Sequence, residues 1–115
     1  MRATFHLVPA AVWAAADPTS AYLAASLATE GFVHCTDGEV ELLRTANRHY
    51  RLDPRPLLVL TLDLDLIRSR WTVEDAAAIY PHIHGPVDRG AIIAVAPLVR
   101  ADDGMFLAIG SERPS

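Results

Sequence analysis

Two histidines separated by a single residue are the feature of the sequence best suited to chemistry. In an extended chain His82 and His84 point to the same side, with Cα atoms roughly 7 Å apart. Two imidazoles at that spacing can share a metal ion, or one can bind an anion while the other orients it. Pro81 and Pro86 restrict the backbone around them, and Gly85 would let a ligand approach closely. The alternative is one packed strand histidine and one solvated histidine.

A second candidate pair lies in the segment from Gly31 to Thr36, which the pattern predicts to be a strand. Alternation places His34 and Thr36 on one face and Cys35 on the other. An imidazole beside a hydroxyl can hold a ribose by hydrogen bonds, although His34 could equally be a buried histidine bonded to a backbone carbonyl. We expect Cys35 to be a buried, unreactive thiol.

Composition narrows the classes of partner. The 115 residues carry a formal net charge of -4 at pH 7, so we expect neither nucleic acid nor a membrane surface as partner. All ten basic residues are arginines, and three of them, Arg44, Arg48 and Arg51, form one helical stripe. That stripe is either a solvated face or a phosphate clamp.

The cysteine count and the hydropathy bear on location. A lone cysteine excludes an internal disulfide and fits a reducing, cytoplasmic environment. Pro9 interrupts the apolar run that begins at Leu7, so we do not expect a cleaved secretory signal. No apolar stretch approaches the roughly 20 residues that span a bilayer.

The elements that must position these side chains alternate irregularly, which predicts a single α+β domain over residues 1–110 and a flexible tail over 111–115. Asp37 is the predicted N-cap of a helix that ends near Tyr50, with Val40, Leu43 and Ala46 as its apolar stripe. The other predicted helices cover residues 10–16 and 73–78, and the predicted strands cover 3–8, 31–36, 57–63, 82–84, 91–96 and 105–109.

Two blocks of the chain resemble a known bacterial family. The segment 31–36 resembles the Gly-Phe-Ile-His-Leu-Ser block of domain of unknown function 952, and the segment 80–87 resembles its Phe-Pro-His-Leu-Tyr-Gly-Pro-Leu block. Trp13 and the segments 46–50, 57–62 and 91–98 also match, so the resemblance covers nearly the whole chain.

The resemblance implies an ADP-ribosyltransferase-like fold, in which split, bent antiparallel sheets with flanking helices surround a cleft. It implies NAD or a related nucleotide as ligand, and ADP-ribosyl transfer as the activity to test. By position, His34 and Thr36 match the pair that grips the nicotinamide ribose, and Arg70 and Trp71 match a basic–tryptophan pair.

The cofactor-binding set expected from the segments and the resemblance together is His34, Thr36, Arg70, Trp71, His82, His84 and Gly85. The expected catalytic residues are His34, His82 and Glu74.

This sequence departs from the family pattern at two positions. Thr72 stands where the family usually has glutamate directly after the tryptophan, so glutamate-dependent transfer would have to use Glu74. His84 replaces an aromatic hydroxyl. Two other hypotheses remain beside nucleotide binding: a metal-binding protein using His82, His84 and His34, and a non-catalytic module for a protein or a small metabolite.

Overall fold

The computed structural model describes residues 1–113 and contains two antiparallel sheets. The prediction of an α+β fold is confirmed, with curled antiparallel sheets and few helices. The strands are β1 (Ala3–Pro9), β2 (Val33–His34), β3 (Leu57–Asp63), β4 (Trp71–Val73), β5 (Pro81–Ile83), β6 (Ile92–Arg100) and β7 (Phe106–Ile109). The larger sheet has the order β1-β3-β6-β7, and the smaller has the order β2-β5-β4. The helices are α1 (Ala10–Ala15), α2 (Ala25–Thr29) and α3 (Glu39–Tyr50), with 3₁₀ turns at Leu64–Leu66 and Arg89–Ala91.

The strand β3 is central, as its apolar sequence predicts. It pairs with β1 on one side and with β6 on the other. Its side chains alternate between two apolar clusters: Leu58, Leu60 and Leu62 pack toward the small sheet, whereas Leu57 and Val59 pack toward α3. A strand covered on both faces must be apolar at nearly every position, which is why this segment is so recognisable.

The helix α3 covers one face of the large sheet with Leu42 and Ala46, both fully buried. The predicted apolar stripe is therefore wrong by part of a turn, since Val40 is 65% exposed. The predicted N-cap is also wrong. Gly38 occupies that position with a φ of 84°, while Asp37 accepts two hydrogen bonds of 3.0 and 2.7 Å from the Arg2 guanidinium. The Asp37 carboxylate therefore binds Arg2 in a tertiary ion pair instead of capping the helix.

The predicted helix over residues 73–78 is also wrong. The strand β4 ends at Val73, and a tight loop follows. The Asp75 carboxylate accepts hydrogen bonds of 3.0 Å from the backbone N–H groups of Ile79 and Tyr80, and Ala78 has a positive φ of 56°. An aspartate that bonds to nearby backbone offers the chain an alternative to the helix.

The small sheet has one buried row and one outward row. Val33, Ile83 and Trp71 are in register and pack into the core, and His34, His82 and Thr72 form the neighbouring row on the opposite face. Alternation along these three short strands thus presents two imidazoles and a hydroxyl side by side.

The segment predicted as one strand, 31–36, changes partner halfway. After His34 it leaves the small sheet, and Thr36 forms a two-way backbone bridge with Phe5 of β1, at 2.8 and 3.0 Å. Cys35 between them is buried, as expected. This crossing is where the two sheets meet, and it brings Thr36 close to β1.

At the carboxyl end the chain continues beyond β7, and the Arg113 N–H donates to the Val95 carbonyl at 2.8 Å. Of the predicted tail, residues 114 and 115 lie outside the described residues. Over residues 1–113, no helix is both long enough and apolar enough to cross a bilayer.

Candidate functional site

A cleft of about 850 Å³ runs along β1, the edge strand of the large sheet, between α3 and the small sheet. Residues of β1 and α1 supply apolar walls. Three of the predicted site residues, His34, Thr36 and His82, line this cleft together with Tyr80. The two segments that carry the family resemblance therefore meet at one concave surface.

Thr36 is the most buried of these four residues, with only 4% of its surface exposed. Its backbone is engaged by Phe5, but its hydroxyl makes no hydrogen bond to any group within residues 1–113. The fully buried hydroxyls that lack a partner in residues 1–113 are those of Thr4 and Thr45, so the Thr36 oxygen is not sealed in the core and a ligand in the cleft can reach it. Thr36 thus offers a free donor and acceptor to the cleft.

His34 is held from two directions. Its Nε2 lies 2.8 Å from the Glu30 carboxylate, and its backbone carbonyl accepts a hydrogen bond of 2.7 Å from Nδ1 of His6. Because a carbonyl only accepts, His6 carries its proton on Nδ1, so that Tyr22 donates its hydroxyl proton to Nε2 at 2.9 Å. Burial lowers the pKa of His6 to about 4, and His6 is therefore neutral at neutral pH.

Sequence reasoning missed His6 and Tyr22, which also line the cleft. A usable signal was present for His6, because it occupies an inward position of β1 between Thr4 and Val8. A histidine in a buried row needs polar partners, and only the folded chain reveals which groups provide them.

His82 stands opposite His34 in the small sheet, and the two ring centroids are 5.9 Å apart. Phe32 stacks on the His82 ring at 4.0 Å with an interplanar angle of 15°, which fixes the orientation of the imidazole. Neither ring nitrogen of His82 has a hydrogen-bond partner within the described part of the chain. Desolvation, and then the charge of His34, lower the pKa of His82, so its ring is largely neutral at neutral pH.

His84 and Glu74 belong to a hydrogen-bonded chain that does not line the cleft. The Thr72 hydroxyl donates to Glu74 Oε1 at 3.0 Å and accepts a hydrogen bond of 2.8 Å from Nε2 of His84. The position where the family usually has glutamate thus holds a hydroxyl that ties down the next glutamate. Phe32 joins this chain to the cleft, with its ring centroid 6.1 Å from that of His84.

Three other predicted cofactor-binding residues lie away from the cleft. Trp71 packs against the core with the Arg2 guanidinium 5.9 Å from its ring centroid, and Arg70 is exposed. The close approach at Gly85 is made by the protein itself, since a Cβ there would lie 2.6 Å from the Ser69 hydroxyl. The expectation that Gly85 makes room for a ligand is therefore replaced by a packing role.

The arginine stripe does not act as one clamp. Arg44 pairs with Glu41 at 2.7 Å, and Arg51 pairs with Asp103 at 3.3 Å. Of the three, only Arg48 lines the cleft, and its guanidinium has no ion pair within residues 1–113. The Cys35 thiol also borders the cleft, but burial raises its pKa to about 12, so it is a poor nucleophile.

The metal-binding hypothesis gains no support from the geometry. Within residues 1–113, no group of three or more histidine, cysteine, aspartate or glutamate side chains is arranged to hold a metal ion. Nε2 of His34 is bound to Glu30, and Nε2 of His84 is bound to Thr72. Internal hydrogen bonds therefore occupy one ring nitrogen in each of these two histidines.

Comparison with known proteins gives a family and a fold. The family model described as "Protein of unknown function (DUF952)" matches residues 7–95. Two crystal structures of protein CC0527 from Caulobacter crescentus, one of a double mutant, superpose with a TM-score of 0.74 at 21% sequence identity. Each alignment covers 91% of this chain and 93% of that one, which shows a shared fold. No curated protein matches the sequence. With more than half of its length matched by the family model, the chain belongs to the DUF952 family of proteins of unknown function.

Proposed function

We propose that the cleft along β1 binds a nucleotide-like ligand, with NAD⁺ as the first candidate. The observation that carries the proposal is the convergence of His34, Thr36 and His82 on one cleft, where the Thr36 hydroxyl and the His82 nitrogens have no hydrogen-bond partner within residues 1–113. A ribose presents neighbouring hydroxyls that both donate and accept, and such groups are complementary to this set.

The rest of the cleft suits the remainder of a nucleotide. Its volume of about 850 Å³ lies within the usual range for small-molecule sites, roughly 300–1,000 Å³. Apolar side chains of β1, including Leu7 and Val8, can pack against a base, and Arg48 can pair with a phosphate. Segments 31–36 and 80–87 resemble the family, that resemblance implies an ADP-ribosylation-type fold, and this implication is our reason to put NAD⁺ ahead of other nucleotides.

ADP-ribosyl transfer is the finer form of the proposal, with Glu74 as the residue that would orient the acceptor. Its carboxylate accepts from Thr72 and does not line the cleft, so transfer requires that hydrogen bond to break and the side chain to turn inward. Loss of nicotinamide from NAD⁺ in the presence of acceptor proteins is the readout, and Glu74→Gln should abolish it while leaving ligand binding intact.

Thermal unfolding with NAD⁺, ADP-ribose and AMP tests the binding proposal directly. A ligand at 100 times its Kd adds about 2.7 kcal/mol to the free energy of unfolding, which raises the melting temperature of a domain this size by several degrees. Thr36→Val should remove the shift. Thr72→Val is the matched control, because it makes the same change outside the cleft. A melting temperature that none of the three ligands changes contradicts the proposal.

A further inference from the structure

We propose that His34 and His82 form an acid–base pair that hydrolyses a cyclic phosphodiester on the ribose of a nucleotide bound in the cleft. This inference rests on the proposed function, because the substrate is a nucleotide in that cleft. It adds a reaction that uses only the two imidazoles, the substrate and water. The observation behind it is the cross-strand pairing of two histidines that both line the cleft and are held in unlike surroundings.

The geometry lets both rings reach one reacting group. His34 and His82 are opposite each other in the antiparallel ladder, and their ring centroids are 5.9 Å apart. Two imidazoles at this centroid separation are close enough for both to contact one phosphate group in the cleft. Neither ring depends on the ligand for its orientation, because Phe32 stacks on one and Glu30 binds the other.

The two rings differ in which of their nitrogen atoms are free to contact a substrate. Nε2 of His34 donates to Glu30, so when His34 is an imidazolium its Nδ1–H is the proton free for a substrate. His82 has both nitrogens without a partner in residues 1–113 and is largely neutral, which suits a base. Paired titratable groups placed in different surroundings are the usual arrangement for acid–base catalysis.

The charged and titratable groups around the pair can be named. His82 faces His34 from β2, His84 from its own strand, and Glu74 and Asp75 from the segment after β4. The two carboxylates favour the charged form of His82, and they are outweighed by desolvation and by the neighbouring imidazoles. His34 faces Glu30 in addition to His82.

The step balances without any further reactant. A water molecule attacks phosphorus while neutral His82 takes one of its protons, and a new P–O bond forms. The bond from phosphorus to one ribose oxygen breaks, and that oxygen takes the proton from Nδ1 of the His34 imidazolium. The product is a nucleoside monophosphate, and a proton exchanged through solvent from His82 to His34 restores the starting state. Arg48, which lines the cleft, can pair with the phosphate oxygens.

The test uses the full chain with 2′,3′-cyclic AMP in buffer containing a chelator, with product measured by chromatography. We expect hydrolysis that passes through a maximum with pH, because one histidine must be neutral and the other charged. His34→Asn and His82→Asn should each lower kcat/KM by at least about 100-fold. Leu52→Ala, at a residue that is 96% exposed and does not line the cleft, should lower it less than threefold. His34→Gln and His82→Gln serve as second variants if an asparagine variant does not fold.

The outcomes separate this inference from the proposed function. If 2′,3′-cyclic AMP raises the melting temperature but is not hydrolysed at any pH, the acid–base pair is overturned while nucleotide binding stands. The same conclusion follows if His82→Asn and His82→Gln remain fully active. If no nucleotide changes the melting temperature and none is hydrolysed, the proposed function itself fails. Equal losses in the His34, His82 and Leu52 variants would also overturn the pair, because they would indicate a general effect on the fold.

Discussion

The two sheets of this protein are built from the same kinds of antiparallel ladder but use their residues differently. The large sheet has strands of seven to nine residues in β1, β3 and β6, and both of its faces are covered by apolar side chains. The small sheet has strands of two or three residues, with one apolar row and one polar row. A strand buried on both faces needs an apolar residue at nearly every position, whereas a strand buried on one face can carry a polar, reactive residue at every second position.

The largest expected effect comes from opening a cavity in the large sheet. Leu60 lies at the middle of β3 and is fully buried, so Leu60→Ala should lower the free energy of unfolding by about 2–5 kcal/mol. Urea denaturation measures the change. Leu52→Ala is the matched control, since Leu52 is 96% exposed, and it should change stability by less than about 0.5 kcal/mol. Similar losses in the two variants would remove the basis for assigning stability to the large sheet.

The next effect concerns His6, which connects the sheets by donating from β1 to the His34 carbonyl of β2. Its pKa is lowered to about 4 by burial, so the unfolded chain takes up a proton before the folded chain does as the pH falls. The contribution of His6 to the free energy of unfolding is fully present above about pH 6.5 and is lost as the pH falls toward 4. It should amount to about 3 kcal/mol.

The pH dependence of stability in a His6→Asn variant isolates this contribution, because an amide can still donate to the carbonyl but does not titrate. His49→Asn, at an exposed histidine, is the control and should keep the wild-type slope. A His6→Asn variant whose stability falls as steeply as that of the wild type between pH 6.5 and pH 4 would assign the acid sensitivity elsewhere.

The smallest expected effect lies in the polar row of the small sheet. Thr72→Val removes the hydroxyl between His84 and Glu74 but keeps the shape of the side chain. Because water can replace these partners at the partly exposed site, the free energy of unfolding should change by less than about 0.5 kcal/mol. Urea denaturation is again the measurement. A loss above about 1.5 kcal/mol would mean that this row stabilises the fold as the apolar rows do.

The sequence predicts the strand buried on both faces better than it predicts the segments that contain polar side chains. Leu57–Asp63 was recognisable as a central strand because burial on both faces leaves a continuous apolar run. The helix expected at 73–78 does not form, because Asp75 bonds to the backbone of its own loop. Asp37 was a reasonable helix cap by type, but Arg2, 35 residues away in the chain, binds its carboxylate instead. Local rules fail where a polar side chain has a choice of partners.

The candidate site shows the same limit. Alternation grouped His34 with Thr36, which both line the cleft, and His82 with His84, of which only His82 lines it. The resemblance pointed to both segments. Alternation could not show that segment 31–36 changes sheets after His34, which is what buries Thr36 beside β1. Nor could it show that Gly85 accommodates Ser69.

By itself, the sequence determined the fold class, the central strand, the burial of Cys35 and the two segments that meet at the cleft. These features depend on periodic burial, which can be recognised from successive residues of one segment. Only the tertiary structure decided which polar groups keep a free hydrogen-bonding atom. Glu30 binds the His34 ring, Thr72 binds the His84 ring and His6 binds the His34 carbonyl, whereas the Thr36 hydroxyl and the His82 ring have no partner in the described part of the chain. That outcome depends on distances between strands far apart in the chain, and no local pattern contains them.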